Sequence, residues 1–514
     1  MKIVAAPRLI KGFLTVGSWT LLSRIMGFAR DVMIAATLGA GPVAEAFLVA
    51  FSLPNMFRRF FAEGAFNMAF VPMFSKKVEA GDGAGEFARD AFTGLASILI
   101  VFTLIAQVAM PWLVLMMAAG FVEDQRFDLA VLYGRICFPY ILLISLAALL
   151  CGVLNSVGRF VAAAAAPVLL NVALIVPLII GYRLGWDPGL TLSWTVPLGG
   201  VLQLGLVWIA AARAGFTLVP RRPRLTPELR RLAVIAAPAA LAGGVMQVNL
   251  LVGRQVASFF DGAIAWLNYA DRLYQLPLGV VGIAIGVVLL PELSRRLRAE
   301  DDAGGRDALS RAAEFALILA VPSAVAFLVI PMPLVVTLFQ RGAFGPDDAA
   351  ATALALAIYG LGLPAFVLQK VWQPLYYARE DTVSPFRFAL VSLVVNVVVA
   401  IGLAPYVGFV SAAFGTTIAG WAMAILLIRG ARGMGETARV DARFRRRLPR
   451  ILIASVAMGV TLWIGSVALG SLFGGPWQFA ALALLIAIGV ISYFGIGNLV
   501  GAVSVKQIRA SMRR

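Results

Sequence analysis

Long apolar stretches separated by short polar turns repeat along the whole chain. Runs of 18 or more residues with few charges recur to the end, the length a helix needs to cross about 30 Å of hydrocarbon. The pattern predicts about 14 helical spans. They lie at 11–38, 44–76, 88–119, 128–157, 160–184, 189–213, 229–258, 263–295, 308–338, 348–378, 384–404, 408–430, 449–471 and 477–503. Turns such as GAGP at 39–42 and GWDPG at 185–189 separate several of them. The expected fold is an all-α polytopic membrane protein.

Composition narrows this further. Of 514 residues, 61% are hydrophobic and 13% charged, and the mean hydropathy is +0.91. No soluble globular class has this balance. The start, MKIVAAPRLIKGF, is basic and runs into an apolar segment without a small-residue cleavage site, so it reads as a retained first span. The two cysteines, Cys137 and Cys151, fall within the single span 128–157. On one helix they stand about 21 Å apart, beyond disulfide reach, and read as packing residues. Histidine is absent, which removes the commonest metal ligand and proton shuttle. There is no phosphate-cradling glycine loop, zinc signature or paired-carboxylate cluster, and GETARVD at 435–441 reads as a polar linker. Neither an enzyme nor a bound metal or cofactor is expected.

The net charge of +17 would suggest nucleic acid in a soluble protein. In a membrane protein the positive-inside rule accounts for it, and no nucleic-acid partner is expected. With the N-terminus in the cytoplasm, Lys76/Lys77, Arg221/Arg222/Arg224, Arg295/Arg296/Arg298, the run RVDARFRRRLPR at 439–450 and Arg513/Arg514 all fall inside. Roughly 32 of the 43 lysines and arginines lie on that side, and an even number of spans returns the C-terminus to it. Contact with anionic membrane lipid is a second use of these runs.

The chain also repeats. Pro72-Met-Phe-Ser-Lys-Lys matches Pro291-Glu-Leu-Ser-Arg-Arg, Phe138-Pro139 matches Leu363-Pro364, and Asn171-Val172 matches Asn396-Val397. Spans 1–6 thus correspond to spans 7–12. Six spans per half give the halves one orientation, and transporters with such parallel repeats bind substrate between them. The divisions are 1–213, 214–432, and 433–514 with a basic linker and two extra spans.

Residues 23–72 hold two spans and also Arg24, Arg30, Asp31, Glu45, Arg58, Arg59 and Glu63. Each charge at bilayer depth costs at least about 2.5–3.5 kcal/mol, so such residues face a bundle interior or wet cavity. Arg24 and Asp31 are two turns apart on one face, where an ion pair that only aids packing is the plain alternative. Arg30 falls on a different face. Arg59 and Glu63 are four apart and can pair, which leaves Arg58 without a partner in its own helix. The second half carries Arg254, with Gln247 on the same face, then Asp271, Arg272 and Lys370. Adjacent Asp271 and Arg272 diverge by about 100°, so a shared ligand or cross-helix partner suits them better than each other. Together these are seven cations against four anions. Surplus arginine in a membrane cavity suits an anion, and phosphate above all, whose geometry the guanidinium fork matches. The carboxylates Asp31, Glu45, Glu63 and Asp271 are candidates for ion pairs that gate such a cavity.

Four stretches carry a family resemblance: LLSRIMGFARD at 21–31, EAFLVAFSLPNMFRRFFAEGAFNMAFVP at 45–72, FPYILLISLAALLCGVLN at 138–155 and NYADRLYQLPLGVVGIAIGVVLLPELS at 268–294. They closely resemble the MurJ (MviN) family of lipid II flippases, in the MOP superfamily. The resemblance implies two six-helix lobes around a cationic cavity, with two extra helices forming a groove attributed to the polyprenyl tail. It implies a substrate, the undecaprenyl-pyrophosphate-linked peptidoglycan precursor lipid II, and the bacterial cytoplasmic membrane. Other cell-wall synthesis proteins are candidate partners. The family's essential arginines fall on Arg24, Arg58 and Arg272, and Arg30, Asp31, Glu63 and Asp271 occupy charged family positions. Where the family often has Asp, this chain has Glu45. Some members have a sodium site built from carboxylates in helices 7 and 11; here those spans carry no membrane-embedded carboxylate, which leaves such a site without its ligands. Two other readings remain open at this stage: a multidrug or O-antigen exporter of the same superfamily, and a membrane scaffold whose charges only hold helices together.

Overall fold

Seventeen α-helices and no strand make up the described residues of the computed structural model, which are 6–59 and 65–502. Side chains are not described before residue 16, at 60–68, at 237–250 and at several positions between 283 and 290. In order the helices are α1 (Ala6–Leu38), α2 (Pro42–Arg58), α3 (Ala65–Ala80), α4 (Ala84–Met117), α5 (Gln125–Cys137), α6 (Tyr140–Ser156), α7 (Val161–Leu184), α8 (Pro188–Arg213) and α9 (Pro227–Ala257). They continue with α10 (Ala263–Arg298), α11 (Asp302–Val329), α12 (Pro331–Phe339), α13 (Pro346–Tyr377), α14 (Val383–Val407), α15 (Val410–Ala431), α16 (Ala442–Ala468) and α17 (Gln478–Leu499).

Ten helical stretches among the described residues are long and apolar enough to cross a membrane by that measure alone. The remaining expected spans are occupied by α1, α2 with α3, α9 and α10, which carry most of the embedded charges. At 33, 31 and 36 residues, α1, α9 and α10 extend about 46–54 Å at 1.5 Å per residue, enough for a bilayer. On α4 the exposed residues Ile98, Val101, Ile105, Val108 and Trp112 recur every three or four positions. That spacing is a single helix face, and an uncovered apolar stripe of this length suits lipid.

Proline corrects several spans. The span expected at 128–157 is two helices, α5 and α6, parted at Phe138-Pro139. Pro139 has no N–H to continue the ladder, and its ring crowds the preceding turn. Cys137 and Cys151 therefore lie on separate helices, not one; both are free thiols. The span at 308–338 likewise divides into α11 and α12 before Pro331. The long second span, 44–76, is α2 and α3, with 60–64 outside the described residues.

The chain divides into two compact units, Met1–Leu251 and Val252–Arg514. In the first, α7 packs on α8, α5 and α6 on α8, α2 on α5, and α1 on α7. In the second, α14 packs on α15, α13 on α15, and α10 and α11 on α13. The pair α7–α8 corresponds to α14–α15 in the sequence repeat, and α5 and α6 on α8 to α13 on α15. Glycine allows the same close seam in each unit. A Cβ on Gly199 of α8 would lie 2.6 Å from Leu170 of α7, and one on Gly415 of α15 would lie 2.6 Å from the Asn396 Oδ1 of α14. Small residues at such seams let membrane helices approach closely.

In the second unit α16 rests on α11, and α17 on α16 and α12. The basic run at 439–450 is not simply a linker. Most of it forms the first turns of α16, capped by Asp441, whose Oδ1 accepts from the Phe444 N–H at 2.6 Å. GETARVD is likewise docked. Arg306 donates to Glu436 at 3.1 Å, Thr437 is buried and donates to Asp302 at 2.5 Å, and the Asp441 N–H donates to Ser310 at 3.0 Å. Next to it Asp301 caps α11; the Gly304 N–H and then the Arg296 guanidinium hold its carboxyl below the usual carboxylate range. Deeper in, the buried Glu314 of α11 accepts from Arg447 at 2.9 Å, with Arg443 at 3.3 Å. Removing Arg447 leaves that carboxylate with the more exposed arginine alone, a loss of about 1.5–3 kcal/mol. Arg447→Ala is expected to loosen the docking of α16 and speed proteolysis within 432–441. Cleavage there at the wild-type rate would refute this.

Candidate functional site

The first unit holds its charges at two levels. On α1, Arg30 and Asp31 are buried side by side. Arg30 donates to one Asp31 oxygen from both Nε, at 3.0 Å, and Nη2, at 2.7 Å. Its Nη1 donates to the Asn171 Oδ1 of α7 at 3.0 Å, and its guanidinium lies 5.9 Å from the Phe51 ring centroid. The helical phase is as expected, but the pairing is not. Arg30 reaches Asp31 despite the 100° between adjacent positions, because its long side chain bends back across the helix. Asp31 pairs with Arg30, while Arg24, two turns earlier, is exposed.

Arg58 ends α2 and Arg59 follows it; Arg58 is half-buried and Arg59 exposed. Phe57 fixes this end. Its ring meets Phe102 of α4 at 5.1 Å and Phe138, at the α5–α6 break, at 5.9 Å, edge to face in both cases. The proline break thus helps anchor the turn that carries two arginines. Glu63, the expected partner of Arg59, lies outside the described residues.

At the other end of α2, Glu45 is 1% exposed and accepts from Arg126 at 2.9 Å. Arg126 is also held by Asp124, at 2.7 Å from its Nε, and stands 4.5 Å from the centroid of Phe121. Asp124 caps α5 by accepting from the Arg126 N–H at 2.6 Å. Sequence reading placed Glu45 among the gating carboxylates and gave Arg126 no role. The available signal was local: Asp124 two residues before Arg126, at the start of an apolar run, is a helix cap that also supplies a counter-charge.

The second unit has a different arrangement. Arg254 of α9 and Asp271 and Arg272 of α10 are half-buried. Gln275 donates to Asp271 across one helical turn, so Asp271 has a partner within its own helix. The buried Tyr274 packs beside Tyr359 of α13, centroids 5.7 Å apart. Asp271 and Arg272 thus lie on the same helix as Tyr274, whose ring meets α13. Lys370 of α13 is exposed, its stem lying where Gly282 of α10 leaves room: a Cβ there would be 3.1 Å from the lysine Cδ. The Gln247 side chain lies outside the described residues. No cluster of three or more acidic or cysteine side chains fit to hold a metal occurs among the described residues.

Chemically, the two kinds of charge differ. Arg30 with Asp31 and Arg126 with Glu45 are buried pairs whose charges are matched in place. Arg24, Arg59 and Lys370 are exposed cations on helices within an otherwise apolar chain. Such cations can meet an anionic group; buried pairs hold helices together.

A family profile described as "Lipid II flippase MurJ" matches residues 34–484. A protein of Rhizobium meliloti (strain 1021), "Probable lipid II flippase MurJ", is 45% identical over 517 residues, covering 98% of this chain and 96% of its own. A solved structure titled "Lipid II flippase MurJ, inward closed conformation" aligns with a TM-score of 0.77 at 23% identity, covering 95% of this chain and 98% of that one. A multidrug resistance MATE family transporter of the MOP superfamily, inward-facing, aligns with a TM-score of 0.66 at 14% identity, covering 84% and 99%.

Proposed function

The chain belongs to the MurJ family of lipid II flippases, and from that premise we propose that it carries lipid II from the inner to the outer leaflet of the bacterial cytoplasmic membrane by alternating access. The observation that supports this most is the set of cations on α1, α2, α9, α10 and α13. As candidate substrate-binding cations we propose Arg24, Arg58 and Arg59 in the first unit and, separately, Arg254, Arg272 and Lys370 in the second. Arg30, bound to Asp31 and Asn171, shapes α1. A headgroup of sugars, peptide and diphosphate does not cross hydrocarbon unaided, because each unsatisfied polar group costs several kcal/mol there. Protein groups must therefore replace its water. A cationic drug needs an acidic site, so the fold shared with a multidrug transporter does not carry that activity over.

Depletion of the protein in its host tests the reading. Lipid II is expected to accumulate in the inner leaflet, and its normal arrival outside would sink the proposal. From the charge asymmetry of the sequence we propose that both termini and 214–228 are cytoplasmic and that 39–43 and 258–263 lie outside. In a cysteine-free background, an impermeant thiol reagent should label a cysteine at position 222 only after the membrane is opened; labelling of intact cells reverses the topology.

The positive excess also couples the carrier to voltage, at about 2.3 kcal/mol per charge per 100 mV. An inside-negative potential favours the state with its net positive charge toward the cytoplasm, which resets the empty carrier. The substrate's diphosphate offsets part of that charge on the loaded step. An uncoupler is expected to slow turnover and change the thiol accessibility of cysteines placed on α1 and α10. Accessibility indifferent to both potential and lipid II would rule the scheme out.

A further inference from the structure

Asn171 of α7 makes three hydrogen bonds, two of them to α1. It is buried. Its Oδ1 accepts from Arg30 at 3.0 Å, and its Nδ2 donates to the Ser23 carbonyl at 3.1 Å and the Pro167 carbonyl at 3.3 Å. The carboxamide orientation is fixed by chemistry, since the flipped form would set an NH2 donor against a guanidinium. Gly27 sits between its two α1 partners; a Cβ there would be 3.7 Å from both amide atoms of Asn171. One α7 side chain therefore bonds α1 at Ser23 and at Arg30, seven residues apart, and brackets Arg24. Within its unit, α1 packs on α7 more than on any other helix.

We propose that Asn171 is the positioning residue for the α1 cations. It fixes the height and rotation of α1 against α7, and so the direction in which Arg24, the residue after Ser23, is presented. Arg30 serves as the other end of the clamp: its Nε and Nη2 are taken by Asp31, which leaves Nη1 directed at Asn171. The substrate part of this inference rests on the proposed reading of Arg24 as a diphosphate ligand; the clamp itself does not. Leucine at 171 keeps the volume and removes both bonds to α1. Aspartate keeps an acceptor for Arg30 and loses the donor to Ser23.

The experiment uses the full chain in proteoliposomes with lipid II as the probe. Asn171→Leu is expected to raise the half-saturating lipid II about tenfold, the size of one weakened substrate contact through a misdirected Arg24, with maximal rate close to wild type. Gly27→Ala should behave as wild type, because 3.7 Å is ordinary contact and the clamp works through hydrogen bonds. In a second measurement, independent of substrate, Arg24→Cys is placed in a background with Cys137 and Cys151 changed to serine. Adding Asn171→Leu should change its thiol-labelling rate at least roughly threefold, in line with altered presentation. If Asn171→Leu does not insert, Asn171→Asp carries both measurements, with the same directions expected. An unchanged half-saturation together with an unchanged labelling rate overturns the role of Asn171. So does a variant that loses only thermal stability. A wild-type protein that moves no lipid II overturns the proposed function instead, and the labelling rates still decide the clamp.

Discussion

Arg24→Ala, Arg58→Ala and Arg272→Ala are each expected to abolish lipid II transport while the protein still inserts. Each removes a guanidinium from a long, largely apolar helix. A charge-assisted hydrogen bond to phosphate contributes roughly 1.5–3 kcal/mol, and a guanidinium can make two to one diphosphate. A single loss thus lowers affinity by about ten- to a thousand-fold, and it also removes charge that responds to voltage. Lysine at the same positions should recover part of the activity, since it restores the charge without the planar fork. The exposed Arg24 and half-buried Arg58 predict no folding defect from truncation. Complementation of a depleted strain, with membrane-fraction immunoblots for insertion, reads this out. Wild-type growth of any alanine variant removes that residue from the site.

Breaking the Glu45–Arg126 pair is expected to cost stability more than any other single change. Glu45 is 1% exposed and Arg126 5%, so neither side chain has water to turn to. Removing one partner of a buried pair costs about 3–5 kcal/mol, because the other charge stays buried alone. Arg126→Ala should therefore lower the thermal midpoint in detergent sharply. Arg126→Lys should fall between, since one ammonium cannot reproduce the fork shared by Glu45 and Asp124. The double variant Glu45→Leu/Arg126→Met should regain most of the loss, as apolar groups of similar volume often replace a buried pair at no net cost. An Arg126→Ala protein that melts like wild type would show that the pair is not what holds α2 to α5. A double variant as unstable as the single one would show that packing, and not charge burial, sets the cost.

Much of this was legible in the chain itself. Apolar runs of membrane-crossing length, and the basic residues collected between them, are one-dimensional signals that require no neighbour. The repeat was equally visible in Asn171 and Asn396, Pro139 and Pro364, and Pro72 and Pro291. Motifs such as SRIMGFARD and PNMFRRFFAEG carried the resemblance, because charges within apolar helices are costly and therefore distinctive. What the sequence could not supply was which charge answers which. Helical phase put Arg24 and Asp31 on one face and set Arg30 apart. Tertiary packing decided the pairing, since a long side chain in an apolar bundle turns to whatever acceptor shares its burial. Arg30 found Asp31 beside it and Asn171, 141 positions away. Arg126 found Glu45, 81 positions away, for the same reason. The sequence by itself determined where the long apolar stretches lie, the repeat and the surplus of positive charge. Only the tertiary structure decided which cations are matched in place, because desolvation makes a buried charge seek the nearest partner in space, and space is not ordered as the chain is.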